Sequence, residues 1–120
     1  MDRQQIGRDA EQRAADFLQA RGLEILLRNY RCRSGELDIV ARGAQLLVIA
    51  EVRCRARSDY GGAAASVDCW KQRRIVRAAR HLLMRQRALA QLPARFDVLV
   101  VPPRDAGEIE WLQAAFASTI

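Results

Sequence analysis

Two short runs concentrate the residues of this chain that could do chemistry. Gly35-Glu36-Leu37-Asp38 opens one apolar stretch, and Glu51-Val52-Arg53-Cys54-Arg55 closes the next. Both stretches read as strands, and Gly43-Ala44-Gln45 between them suits a hairpin connection. With Arg42 facing Leu47, Asp38 falls opposite Glu51 and Glu36 opposite Arg53, and all four project from one face on a period of two. Directly opposed carboxylates repel and destabilise a sheet, so this register asks for an offsetting charge. A divalent cation is the simplest. Mg²⁺ or Mn²⁺ is usually held by one or two carboxylates plus waters and a substrate phosphate. Asp38 and Glu51 would provide two ligands, and the carbonyl of Val52 a third. An ion so held orients and acidifies an attacking water and neutralises charge on a phosphodiester, with Arg53 or Lys71 stabilising that charge from the other side.

Other residues could assist. Glu11 shares a helical stripe with Ala14, Ala15 and Leu18, so its carboxylate edges the core side of its helix. Glu11 or Glu36 could bind the metal's water shell or a second ion. Lys71 stands four residues before Ile75 and is the only lysine in a chain whose other nineteen basic residues are arginine. On the residues alone a second reading stays open. Glu36 and Arg53 would then form a cross-strand ion pair worth a few tenths of a kcal/mol, with Asp38 and Glu51 on a solvated face near Arg42 or Arg55.

The elements that must position these residues follow from periodicity. Ala10, Ala14, Phe17 and Leu18 predict an amphipathic helix over Gly7 to Arg21, stopped by Gly22. Strands are expected over Leu23–Tyr30, Glu36–Arg42 and Leu46–Arg55. The face carrying Leu37, Ile39 and Ala41 is expected to pair with Val48, Ala50 and Val52 as a uniformly apolar surface, and Cys54 shares that parity and is expected in the core. A loop over Arg57–Ala65, centred on Tyr60-Gly61-Gly62, precedes a long helix from Ser66, a candidate N-cap, to Ala90. Pro93 closes that helix. Arg95–Val101 reads as a buried strand and Glu108–Ala115 as a last one. The order αβββαββ predicts an α/β fold, a mixed sheet flanked by helices.

With 120 residues, the chain is expected to form a single domain, residues 1–120. No apolar run approaches the ~20 residues of a membrane span, and Met1–Gln12 lacks an apolar secretory core. Cys32, Cys54 and Cys69 are odd in number and lack C-x-x-C spacing, which suits free thiols in a reducing cytoplasm. The net charge is +6 and the isoelectric point about 10.2, which favours a polyanionic partner. Between Ser66 and Arg95 lie eight basic residues and one acid, Asp68.

Several blocks in sequence resemble the YraN family of bacterial proteins: Gly-Glu-Leu-Asp-Ile-Val, Glu-Val-Arg-Cys-Arg, Tyr-Gly-Gly-Ala-Ala-Ala-Ser-Val, Lys71, Arg-Phe-Asp-Val and Glu-Ile-Glu-Trp-Leu-Gln-Ala-Ala-Phe. The likeness runs from about Gly7 to Phe116. It implies a restriction-endonuclease-like fold of the PD-(D/E)xK superfamily, near the archaeal Holliday-junction resolvases. By that resemblance Asp38 matches the motif's aspartate, Glu51 its second acid, Arg53 its lysine, and Glu11 the acid on the first helix of resolvase-like members. Arginine is no base at accessible pH, and its planar fork is not interchangeable with an ammonium. Lys71 could supply the lysine from the neighbouring helix.

The implied function is Mg²⁺- or Mn²⁺-dependent phosphodiester hydrolysis on nucleic acid, DNA favoured and branched DNA included, in the cytoplasm, with a homodimer as in resolvase relatives. Arg55, Arg57, Gly61, Gly62, Arg74 and Arg77 are candidate nucleic-acid contacts. Alternatives are an inactive binding module of the same fold and an adaptor whose basic helix meets an acidic protein. Trp70, Arg74, Arg77 and His81 share one helical face that could carry bases, although such a tryptophan more often packs under a neighbouring loop. His81 is expected at the surface.

Overall fold

The computed structural model describes residues 1–56 and 67–118. The expected loop with Arg57, Tyr60, Gly61 and Gly62, and the candidate cap Ser66, lie outside the described residues. The element order is αβββαββ, as the periodicity predicts. Helix α1 spans Arg3–Ala20, and strands β1, β2 and β3 span Glu24–Cys32, Gly35–Arg42 and Leu47–Cys54. Helix α2 covers Cys69–Arg85, followed by a 3₁₀ turn at Leu89–Gln91, β4 at Ala94–Val101 and β5 at Glu110–Phe116. The five strands form one open sheet in the order β1-β2-β3-β4-β5. Only β3 and β4 are parallel, joined across α2, and the other neighbours are antiparallel. No helix among the described residues is long and apolar enough to cross a membrane.

Local chemistry sets the helix ends. Asp2 accepts from the Gln5 N–H, and the Gln5 side chain accepts from the Asp2 N–H. This capping box starts α1 four residues before the expected Gly7. At the other end Leu23 N–H donates to Leu18 O and Gly22 N–H to Gln19 O, a Schellman closure that Gly22 permits at φ +89°. Helix α2 is capped by Asp68 rather than Ser66, its carboxylate accepting from Lys71 N–H at 2.8 Å. The helix ends at Arg85, short of Ala90.

Each helix covers one face of the sheet. Small residues of α1, Ala10, Ala14 and Ala15, pack with Leu18 on Ile39, Ala41, Val48, Ala50, Leu99 and Val101. On the opposite face Ile75, Val76, Ala79 and Leu82 of α2 pack on Leu37, Val40, Leu47, Ile49, Val98 and Val100. Burial on both faces explains the near-continuous apolar runs of β3 and β4.

The hairpin register is the expected one over Arg42↔Leu47, Ala41↔Val48, Val40↔Ile49 and Ile39↔Ala50. There it stops. Asp38 and Glu51, and Glu36 and Arg53, do not form ladder pairs, while β3 stays with β4 through Cys54↔Val101. Nor does period-two alternation survive in β2, because Ile39 packs under α1 but Leu37 packs under α2. The break lies opposite a distortion of β1. Arg28 faces Ile39 and Tyr30 faces Leu37, so Asn29 stands opposite Asp38. Asn29 has φ +55°, the left-handed conformation that asparagine tolerates better than most residues. The register of β1 with β2 is the same on both sides of Asn29. Cys54, expected in the core, is exposed.

At the far side of the sheet, Asp97 on β4 is fully buried. Its carboxylate accepts from Arg95 Nε and Nη2 at 2.8 Å, Trp111 Nε1 at 2.9 Å and Ala114 N at 2.9 Å. The network fastens β5 to β4 where their register shifts between Phe96 and Val98. Removing the carboxylate leaves the Trp111 and Ala114 N–H donors without their buried acceptor. Asp97→Ala should therefore lower unfolding stability in urea by about 2 kcal/mol, and Asp97→Asn by less.

Candidate active site

Where β2 leaves β3, the Asp38 side chain takes over the lost ladder bond. Its Oδ2 accepts from Val52 N–H at 2.9 Å. Glu51 lies one residue beyond the last β3 residue paired with β2, still in register with Val98 of β4 and 5 % exposed. Helix α2 crosses above, and Lys71 Nζ comes to 2.6 Å from Glu51 Oε1. Asp38, Glu51 and Lys71 line one cleft of about 410 Å³, with Glu36, Trp70 and Arg74 toward its mouth.

Close approach of α2 depends on Gly35 at the start of β2. A Cβ there would meet the backbone O of Arg74 at 3.0 Å, so any larger residue would push the helix, and Lys71 with it, away from the fork. Asp68 also lines the cleft, its cap bond holding the first turn of the helix that carries Lys71.

The electrostatics are frustrated. Burial, and then repulsion by the Glu51 carboxylate, push Asp38 up from 3.8 to about 7, against the opposing pull of the Val52 N–H and Lys71. Two neighbouring carboxylates that resist ionising together suit a small divalent cation. Among the described residues no three His, Cys, Asp or Glu side chains cluster closely enough to hold a metal by themselves. Asp38 and Glu51 offer two carboxylates in one cleft, the number that Mg²⁺ or Mn²⁺ usually takes beside its waters.

On the α1 side of Asp38 lies a second cleft of about 480 Å³, lined by Glu11, Asn29, Arg8 and Arg31, with Glu36 and Asp38 as the wall common to both. Glu11 Oε1 accepts from Arg28 Nε at 3.0 Å and from Asn29 Nδ2 at 2.9 Å. Adjacent strand residues reach one oxygen because Asn29 breaks the alternation. Glu11 thus braces the residue opposite Asp38, and lies in the second cleft rather than beside Glu51.

The remaining sequence candidates are dispersed. Arg53 is half-buried on β3 opposite Val100 and lines neither cleft. Its expected partner Glu36 pairs with Arg31 instead, at 3.3 Å, because the hairpin ladder ends before it. Val52 lines the second cleft and gives its N–H to Asp38. Arg55 turns away to the carbonyl of Ala106. Arg74 reaches the mouth of the first cleft, its Nε donating to Ser34 O at 3.4 Å, and Arg77 is exposed farther along α2. His81 is half-buried, its Nδ1 hydrogen-bonded to the hydroxyl of Tyr30, where the sequence suggested a surface residue. Asn29, Gly35 and Asp68 were missed as contributors. A glycine opening a strand does signal close approach, and asparagine signals a left-handed turn.

The Asp38 shift predicts a sign for pH dependence. Between about pH 4 and 7 the folded chain holds a proton the unfolded chain has lost, so this group's contribution to stability declines as pH rises through that window. In EDTA, urea unfolding of the wild type should show a larger loss from pH 5.5 to pH 8 than unfolding of Asp38→Asn. Equal losses would show that Asp38 ionises normally.

Residues 10–101 match the family described as "Uncharacterised protein family UPF0102". Three similar chains are UPF0102 proteins. That of Alcanivorax borkumensis is 48% identical over 114 residues, covering 93% of this chain and 91% of the relative. Those of Methylobacillus flagellatus and Cupriavidus taiwanensis are 42% and 49% identical, covering 95% of this chain in each case and 98% and 84% of the relatives.

Proposed function

This chain belongs to the UPF0102 (YraN) family, and on the geometry of its own cleft we propose that it is a metal-dependent nuclease. The observation that carries this reading is the fork itself. Asp38 and Glu51 share a cleft at the parting of two strands, with the Lys71 ammonium 2.6 Å from Glu51. That is a donor set for one divalent ion and one phosphate.

Asp38 and Glu51 would hold Mg²⁺ or Mn²⁺. Bound there, the ion would acidify a water and offset charge on the phosphate. Everything else falls to the chain's own groups. The Val52 N–H fixes one oxygen of Asp38 and leaves the other toward the cleft. Lys71 neutralises Glu51 in the metal-free protein, and once released its ammonium is free to balance charge developing on a phosphoryl oxygen. It takes the part that arginine at position 53 cannot play. Arg74, at the mouth, supplies a fork-shaped cation for a flanking phosphate. The net charge of +6 draws a polyanion toward this surface.

The test is cleavage of labelled junction, flap, duplex and single-stranded DNA with Mn²⁺ or EDTA. Wild type should cut with Mn²⁺ only. Asp38→Asn should lose about 100-fold or more in rate while binding DNA as well as wild type or better, since a repelling charge is gone. Binding without cutting would instead favour the module that keeps the fold without catalysis, and unchanged cutting by Asp38→Asn would remove Asp38 from the site.

Lys71 generates a separate prediction. A tethered cation on Glu51 competes with a free one, so Lys71→Met should bind Mn²⁺ more tightly in a titration without DNA, yet cleave more slowly. Weaker Mn²⁺ binding by Lys71→Met would mean that the ammonium and the metal do not contend for the same carboxylate.

A further inference from the structure

Trp70 is out of place as a structural residue. It is 67 % exposed, and among the described residues its ring makes no aromatic or cation–π contact. The other tryptophan behaves differently: Trp111 is half-buried, edge-on to Phe17 and hydrogen-bonded to Asp97. An indole left in water forgoes much of the stabilisation that burial gives. Yet Trp70 is placed by the capped first turn of α2, immediately before Lys71, and it lines the same cleft as Asp38, Glu51 and Arg74. Consecutive helical residues diverge by about 100°. As Lys71 reaches into the fork, Trp70 is therefore left on its lip.

Resting on the nuclease reading of this cleft, we propose that Trp70 is a stacking platform for an unpaired base, so that the cleft takes nucleic acid with a single-stranded segment beside the phosphate held at Lys71. The chemistry of the lip supports this. Arg74, one turn along, also lines the cleft and offers a guanidinium to the neighbouring phosphate. Within a duplex both faces of a base are already stacked on its neighbours, so an indole gains a face only where bases are unpaired or extruded. Stacking of this kind tolerates any base. Trp70 thus selects for strandedness and not for sequence.

The experiment measures binding in EDTA and cutting in Mn²⁺ separately. The probes are an oligothymidylate, an abasic oligomer with the same number of phosphates, and a blunt duplex. Oligothymidylate should quench tryptophan emission and bind more tightly than the abasic oligomer. Trp70→Ala should lose about tenfold or more in affinity for oligothymidylate, with affinity for the abasic oligomer unchanged. Trp70→Phe should keep most of the preference. Retained Trp111 emission and an unaltered melting temperature would establish that both variants are folded.

Equal binding of oligothymidylate by Trp70→Ala and wild type would overturn the stacking role, even if cleavage in Mn²⁺ persists. The full stacking pattern with no cleavage of any substrate would uphold the stacking role and remove the catalytic reading alone. No binding of any probe in EDTA would overturn the stacking role, and cleavage in Mn²⁺ would then decide the catalytic reading by itself.

Discussion

The separation of β2 from β3 after Ile39 and Ala50 is the constraint on which the site depends. An antiparallel hairpin gains a ladder bond at each step, so parting early needs a reason. The parting coincides with the left-handed residue Asn29 on the neighbouring strand. Opposite it, Leu37 packs on the α2 face while Ile39 packs under α1, with Asp38 between them. Glu11, Arg28 and Asn29 lock that conformation through one carboxylate oxygen. The Val52 N–H, deprived of a ladder partner there, is satisfied by Asp38. A buried N–H left unpaired would be costly, so the acid also completes the strand it has left.

Electrostatics then divide the labour between two acids. Unit charges about 4 Å apart interact by about 4 kcal/mol at an effective dielectric near 20, a large fraction of the stability of a small protein. Glu51 meets that difficulty with Lys71, and Asp38 by holding its proton longer. Neither solution could exist if α2 stood farther from the sheet, which is why Gly35 and the Asp68 cap belong to the site although they need touch no substrate. Asp97 presents the opposite arrangement. Four donors satisfy it fully, so one acid of the core is settled while the pair at the fork is not.

The legible part of the fold was whatever repeats. Alternation over Ile39–Arg42 and Leu47–Ala50 carried the hairpin register, and the helical stripes carried both faces of the sheet. Extrapolating the same alternation to Asp38 and Glu36 placed Glu36 opposite Arg53 and Cys54 inside, because the break at Asp38 leaves no mark on a period of two. The two acids still converge, by a side-chain bond to Val52 in place of strand pairing. Lys71 was visible as the only lysine among arginines. The partners of Asp97 were not visible, since an acid inside Phe96–Val101 announces that it needs donors without saying that Trp111 and the Ala114 backbone supply them. The direction in which Arg53 and Arg55 extend was equally beyond reach, as it depends on where neighbouring strands end.

The open sheet has two outer strands, β1 and β5, and each carries the same kind of interruption. β1 has Asn29 at φ +55° and an irregular register between Ile25 and Leu27, while β5 has Ala114 at φ +51° opposite the shift between Phe96 and Val98. A regular free edge is a template on which another chain can add a strand, and kinks of this sort spoil it. The conformation of Asn29 thus also interrupts the ladder that the edge of β1 presents. On β1 the residue that breaks the free margin is the same one that lines the second cleft, so edge and cleft share one backbone feature.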